Sequence, residues 1–186
     1  MSRCFYPQLN LSLRHLIQGG VLAYPTEAVW GLGCDPFNHH AIETLLQLKQ
    51  RPVDKGLILV AADIGQFEFI LFDLELTLRK KLESSWPGHV TWLVPHHQRV
   101  SSLVSGRHHS VALRVSQHPV VRALCHQFGG PLVSTSANPQ NLAPAKTQLR
   151  ARCYFGKAVV YAPGTVGKQL APSQIKDLLS DKVLRG

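Results

Sequence analysis

Three short stretches of this chain carry residue types suited to an anionic substrate. In Lys49-Gln50-Arg51-Pro52-Val53-Asp54-Lys55 three cations lie close together, and a polyphosphate calls for a forked guanidinium beside mobile ammonium groups. On a continuing helix Lys49 and Arg51 would point about 200° apart. Pro52 instead biases Arg51 toward extended backbone, where alternate side chains share a face. The same cations equally suit the negative end of a helix dipole, at about 0.3–1 kcal/mol each. The second stretch, Ser134-Thr135-Ser136-Ala137-Asn138-Pro139, follows the apolar pair Leu132-Val133. Its hydroxyls and amide can donate to phosphate or substrate oxygens without adding charge, and they would also suit a Ser/Thr turn with helix capping. The third, Tyr24 to Gly33, places the Thr26 hydroxyl, the Glu27 carboxylate and the Trp30 indole between small-residue turns, either as a site or as a capped structural loop. Arg114 stands in the otherwise apolar run Ala112-Leu113-Arg114-Val115. A cation there calls for an anionic partner, unless it sits on an exposed strand face.

The elements that would position these stretches alternate. Helical spacing of apolar residues over 9–18 stops at Gly19-Gly20, and an apolar run over 21–24 reads as a buried strand entering Pro25. Asn38 can cap a helix over 39–50. Strands follow over 57–61, 90–94 and 110–115, with a helix over 74–82 closed by Trp86-Pro87-Gly88. Pro119 opens a helix over 119–128, and a strand starts at Leu132-Val133. The remainder reads as a helix over 145–150, a strand over 158–162, a helix over 173–179 and a strand over 182–184. This order predicts an α/β (α+β) fold, a single twisted mixed sheet flanked by helices, in one domain over 1–186. In open sheets ligands bind beyond the carboxyl ends of strands, where the three polar stretches fall.

Composition bounds the partners. Twenty Lys and Arg against eleven Asp and Glu give a net charge of +9, and the His residues add charge below about pH 6.5. Such a field attracts nucleotides, phosphates and RNA alike. Cys4, Cys34, Cys125 and Cys153 show no CxxC spacing, no secretory pattern opens the chain, and no apolar run approaches the roughly 18 residues of a membrane span. A cytoplasmic protein with no membrane association is expected. His39-His40, His96-His97 and His108-His109 are adjacent pairs that cannot share a helix face, which argues against a structural metal. Gly164-Thr165-Val166-Gly167-Lys168-Gln169 fails the phosphate-loop pattern, because two residues rather than four separate its glycines and Gln follows its Lys. No GxGxxG, GxSxG or HExxH occurs, so dinucleotide, serine-hydrolase and zincin chemistry lose their usual support.

Together these residues resemble the YrdC/TsaC family of threonylcarbamoyl-adenylate synthases, in its short single-domain type. The resemblance rests on Pro25-Thr26-Glu27 running into Trp30-Gly31-Leu32-Gly33, on a KxR motif at Lys49 and Arg51, and on an SxN motif at Ser136 and Asn138. Trp86-Pro87-Gly88, Leu113-Arg114-Val115, Pro172-Ser173, Asp177 and Leu184-Arg185 also fit. Trp30, Gln117, Gln174 and Lys176 depart from the family's usual residues. The resemblance implies a YrdC-like fold and the joining of L-threonine, bicarbonate and ATP into threonylcarbamoyl-AMP and pyrophosphate, with Mg²⁺ bridging the leaving group. It implies partner proteins that pass the threonylcarbamoyl group to adenosine 37 of tRNA. By the same resemblance Lys49, Arg51, Ser136 and Asn138 are the catalytic candidates, joined in nucleotide binding by Lys55, Ser134, Ser173 and Arg185. Thr26 and Arg114 would hold threonine. No protein nucleophile is required, so Cys34 and Cys125 read as small core groups. The alternative is a non-catalytic RNA-binding protein of ribosome maturation, and tRNA or structured RNA is a further candidate partner. The synthase reading requires Lys49 and Arg51 to meet Ser136 and Asn138 in one basin.

Overall fold

The computed structural model describes residues 7–185. Helix α1 (Pro7–Ile17) leads into β1 (Leu22–Pro25) and β2 (Trp30–Gly33), followed by α2 (His39–Lys49) and a 3-10 turn at Val53–Lys55. Strand β3 (Ile58–Ala61) precedes a second 3-10 turn, α3 (Glu68–Leu71) and α4 (Leu76–Ser85). Then come β4 (Val90–Pro95), α5 (Ser102–Ser105), β5 (Ser110–Val115), α6 (Pro119–Phe128) and β6 (Leu132–Ser136). Helix α7 (Gln148–Phe155), β7 (Val160–Tyr161), β8 (Gln174–Asp177) and β9 (Val183–Arg185) complete the order.

The strands form one mixed sheet in the order β7-β1-β2-β6-β3-β5-β4-β8-β9. The β1/β7, β3/β5 and β4/β8 pairs are parallel, and the other neighbours are antiparallel. Strand alternation divides the buried side chains between two cores. Leu59, Ala61, Val111, Leu113, Val115 and Val133 pack on one face with Ala41, Ile42, Leu45 and Leu46 of α2 and with Phe67, Ile70 and Leu82. Leu22, Tyr24, Val60 and Leu132 pack on the other face under Leu9 and Leu16 of α1 and Val120, Val121 and Leu124 of α6. Each fully buried aliphatic side chain contributes about 1.5–3 kcal/mol. Helices α1 and α6 contact β1, β3 and β7. On that same face, beyond them, the sheet is left open.

Several expectations hold to within a residue or two. The Asn38 side chain accepts from the Ala41 amide to open α2, Pro119 stands in the first turn of α6, and β5 alternates as expected. Others are corrected. The segment over 173–179 is not a helix: its central residues are β8, parallel to β4, with Ile175 opposite Thr91 and Asp177 opposite Leu93. The helix expected over 145–150 starts later, at Gln148. Ala145 is committed to backbone bonds with Trp30 and Ala137, and the Thr147 hydroxyl then accepts from the Arg150 amide. Trp30–Gly33, expected as loop, is strand β2, and Ser134–Ser136, expected as a turn beyond the strand, belong to β6. Strand β7 is shorter than the expected 158–162. Cys34 and Cys125 are buried in the two cores, as read, while Cys4 lies outside the described residues.

Candidate active site

Where helices leave the sheet uncovered lies a cleft of about 470 Å³. Its floor follows from pairing. Ile58 of β3 stands opposite Ala112 of β5 and opposite Ser134 of β6, and Val60 stands opposite Arg114. Because alternate residues share a face, Ser110, Ala112 and Arg114 line the cleft while Val111, Leu113 and Val115 fill the core behind them. Ser134 and Ser136 line it in the same way along β6.

At one end stand Arg51, Lys55, Ser105 and His108. Gln50, in left-handed conformation at φ 52°, ends α2 and turns the chain so that Lys49 and Arg51 diverge. The Arg51 guanidinium donates to the Gly56 carbonyl at 2.9 Å and 3.2 Å, which shapes the 53–56 turn. Lys49 takes the other direction. Only 4% exposed, it is not on the cleft lining; its ammonium donates to the Ser136 carbonyl at 2.5 Å and the Asn138 carbonyl at 2.8 Å. The KxR and SxN motifs therefore meet, but through a lysine that braces the wall. Burial, with the Arg51 charge beside it, lowers the Lys49 ammonium to about 8. The Asn138 amide is likewise turned into its own loop, donating to the Pro139 and Leu142 carbonyls, and its Oδ1 is buried without a partner among the described residues.

At the other end Arg114 and Glu27 form an ion pair at 2.7 Å, with side chains 12% and 13% exposed. This is the anionic partner that Arg114 called for. Glu27 also accepts from the Ser116 hydroxyl at 2.7 Å and the Gln117 amide at 3.1 Å. Arg114 also donates to the Gly88 carbonyl at 3.2 Å, and its Nη2 meets His89 Nδ1. Burial opposes ionisation of Glu27, but Arg114 and the hydrogen bonds outweigh it and hold the carboxyl below its usual range. Thr26 lines the cleft with its hydroxyl donated to the Val29 carbonyl at 2.7 Å. Ser173 shares a hydrogen bond with Thr91 at 2.8 Å, and its carbonyl accepts from Arg185 at 2.9 Å. Burial and the neighbouring Arg114 charge lower the proton affinity of Arg185.

Sequence reasoning gave Glu27 no partner, and it missed Ser116, His89, Ser105, His108 and Ser110 as cleft residues. Ser110 and Ser116 had a signal, since both share strand parity with Arg114. The remainder arrive from turns and element ends that no local pattern joins to the sheet. Among the described residues Glu27 is the only Asp or Glu on the lining, and no group of three His, Cys, Asp or Glu could hold a metal ion. Both Glu27 oxygens are engaged, Oε2 by Arg114 and Oε1 by Ser116 and Gln117.

The family model for Sua5, YciO and YrdC proteins, described as telomere recombination, matches residues 14–185. The chain belongs to the Sua5/YciO/YrdC family. It is 60% identical over 180 residues to a threonylcarbamoyl-AMP synthase of Saccharophagus degradans, an alignment covering 96% of this chain and 94% of that one. Two solved members of the family fold alike. E. coli YciO gives a TM-score of 0.82 at 23% identity, covering 96% of this chain and 88% of that one. P. abyssi Sua5 complexed with L-threonine gives 0.82 at 23% identity, covering 91% of this chain and 50% of that one. The mixed sheet is thus the YrdC-like fold.

Proposed function

We infer that this chain makes threonylcarbamoyl-AMP from L-threonine, bicarbonate and ATP, releasing pyrophosphate, as the activated precursor for threonylcarbamoyl modification of tRNA. The synthase names of its close relatives support this, and so does one observation: a single cleft carries Arg51 and Lys55, from the turn after α2, at one end, Arg114 and Arg185 at the other, and Ser134 and Ser136 of β6 between them. That cleft suits a polyphosphate and a carboxylate held side by side.

The reaction has two bond-forming steps. The threonine amine adds to bicarbonate carbon with loss of water, giving a carbamate; a carbamate oxygen then attacks the α-phosphorus and pyrophosphate leaves. No protein nucleophile enters. Arg51 and Lys55 neutralise charge gathering on the phosphates, with magnesium carried in on the triphosphate. Ser134 and Ser136 orient the nucleotide by neutral hydrogen bonds. Lys49 and Asn138 fix the 136–138 turn, and Arg114, aided by Thr26 from its turn, faces the threonine carboxylate. Ser173 and Arg185 close the cleft at the Arg114 end. The carbamate is short-lived in water, so holding it against the α-phosphate is the main demand on the site. The product then requires acceptor proteins that transfer the group to tRNA. One domain over 1–186, acting in the cytoplasm, suits this role, and among the described residues no helix is long and apolar enough to cross a membrane.

The test is pyrophosphate release with threonine, bicarbonate and ATP each omitted in turn. Release is expected only with all three. Release that ignores threonine, or salt-sensitive RNA binding with no ATP turnover, would replace this reading with another acceptor or with the RNA-binding alternative.

A further inference from the structure

We propose that Glu27 sorts anions along the cleft: it positions Arg114 for the single carboxylate of the amino acid and keeps phosphate groups at the Arg51 end. The proposal rests on the synthase reading of the cleft. The lining holds guanidinium groups at both ends, Arg51 at one and Arg114 with Arg185 at the other. Two neighbouring guanidiniums are a better phosphate cradle than one guanidinium beside an exposed lysine. Left alone, the Arg114 end would therefore compete for the triphosphate and seat the nucleotide backwards. Glu27 changes that balance. Its carboxylate, the only one on the lining among the described residues, sits 2.7 Å from the Arg114 Nη2 and is fixed from behind by Ser116 and Gln117.

Glu27 leaves that end with one net positive charge from Arg114 and Arg185, which a monocarboxylate matches and a phosphate dianion does not. A partly desolvated site amplifies the repulsion between Glu27 and phosphate. The guanidinium, already held on the Glu27 oxygen and on the Gly88 carbonyl, keeps its orientation without losing its capacity for a second carboxylate. Glu27 is anchored by its backbone as well. Its carbonyl accepts from the Gln169 amide at 3.0 Å and the Thr26 carbonyl accepts from Gly167 at 2.9 Å, so the turn cannot slide along the cleft.

The test follows labelled pyrophosphate released from γ-labelled ATP, with inorganic phosphate as the inhibitor. In the wild-type protein phosphate is expected to compete with ATP and not with threonine; competition with threonine there overturns the proposal without any variant. In Glu27→Gln, phosphate is expected to compete with threonine as well, and KM for threonine to rise about tenfold while KM for ATP stays within about twofold. Glu27→Asp restores the exclusion. Ser116→Ala, which keeps the carboxylate charge, raises KM for threonine without admitting phosphate, separating charge from packing. A Glu27→Gln protein that turns over with the wild-type inhibition pattern defeats the sorting role alone. A wild-type protein with no threonine-dependent release defeats the functional reading on which it stands.

Discussion

Lys49 joins two motifs by giving its ammonium to the Ser136 and Asn138 carbonyls, and this placement alters what its removal should do. Lys49→Ala is expected to lower turnover by a factor on the order of 10² and also to weaken the fold by about 1–3 kcal/mol, because buried carbonyls lose their donor. Arg51→Ala should lower turnover by a similar factor, on the order of 10², with unfolding little changed, since Arg51 is partly exposed and its partners lie in a surface turn. Near-normal turnover in Arg51→Ala would remove it from the phosphate site. The pH dependence separates charge from stability. With its ammonium lowered to about 8 from 10.5, Lys49 loses its proton in the folded protein while the unfolded chain still holds it. Its contribution to stability therefore rises between those two values. Its charge falls over the same window, so kcat/KM for ATP should decline above pH about 8 while the unfolding free energy does not. A flat profile to pH about 9.5 would show that the Lys49 charge plays no part in nucleotide binding. That Arg114 required an anion was legible from its apolar strand; that the anion is Glu27 was not, because the two meet only across the assembled sheet.

At the scale of elements, the sequence showed helices whose caps are local and misjudged segments whose partners are distant. Asn38 and Pro119 mark helix starts by chemistry within one turn, and α2 and α6 begin where those residues say. By contrast, Ile175, Leu178 and Leu179 have helical spacing, yet the segment extends to pair with β4, and the Lys176 ammonium comes to lie over the Trp92 ring. Tertiary pairing outweighs a weak local pattern there. Strand β2 escaped notice because two of its four residues are glycine. The structure explains one of them. A Cβ on Gly33 would stand 2.3 Å from the Val133 carbonyl and 2.7 Å from the Tyr24 ring, since Tyr24 lies across β2 where the sheet passes from β1 to β6. Gly33→Ala should therefore destabilise the protein by about 1–3 kcal/mol or more, read as a lower denaturant midpoint at unchanged slope. Gly130→Ala serves as the control, because nothing lies within 4 Å of the point where its Cβ would stand, and it should stay within about 0.5 kcal/mol. Equal effects at the two positions would mean that the close approach of β1, β2 and β6 is not what the glycine permits.

For the whole molecule, a mixed sheet with flanking helices was legible from the alternation of apolar runs, but its strand order was not. Strands β3 and β6, far apart in sequence, lie side by side, and that adjacency carries Ser134 to the strand that follows Arg51 and Lys55. The net charge of +9 also gains a location. Four cations and one carboxylate line the cleft, so part of the field acts where a nucleotide would bind. ATP carries several negative charges, whereas threonine is a net-neutral zwitterion near pH 7. Raising ionic strength from about 0.1 M to about 1 M shortens the screening length from about 10 Å to about 3 Å. KM for ATP is expected to rise several-fold over that range while KM for threonine stays within about twofold, as initial rates of pyrophosphate release would measure. A protein built only to grip RNA would instead lose RNA affinity steeply with salt and show no such split between substrates. Parallel rises in both KM values would mean that the two ends of the cleft do not divide the anions between them, and the assignment of Arg51 and Lys55 to phosphate would fall with that division.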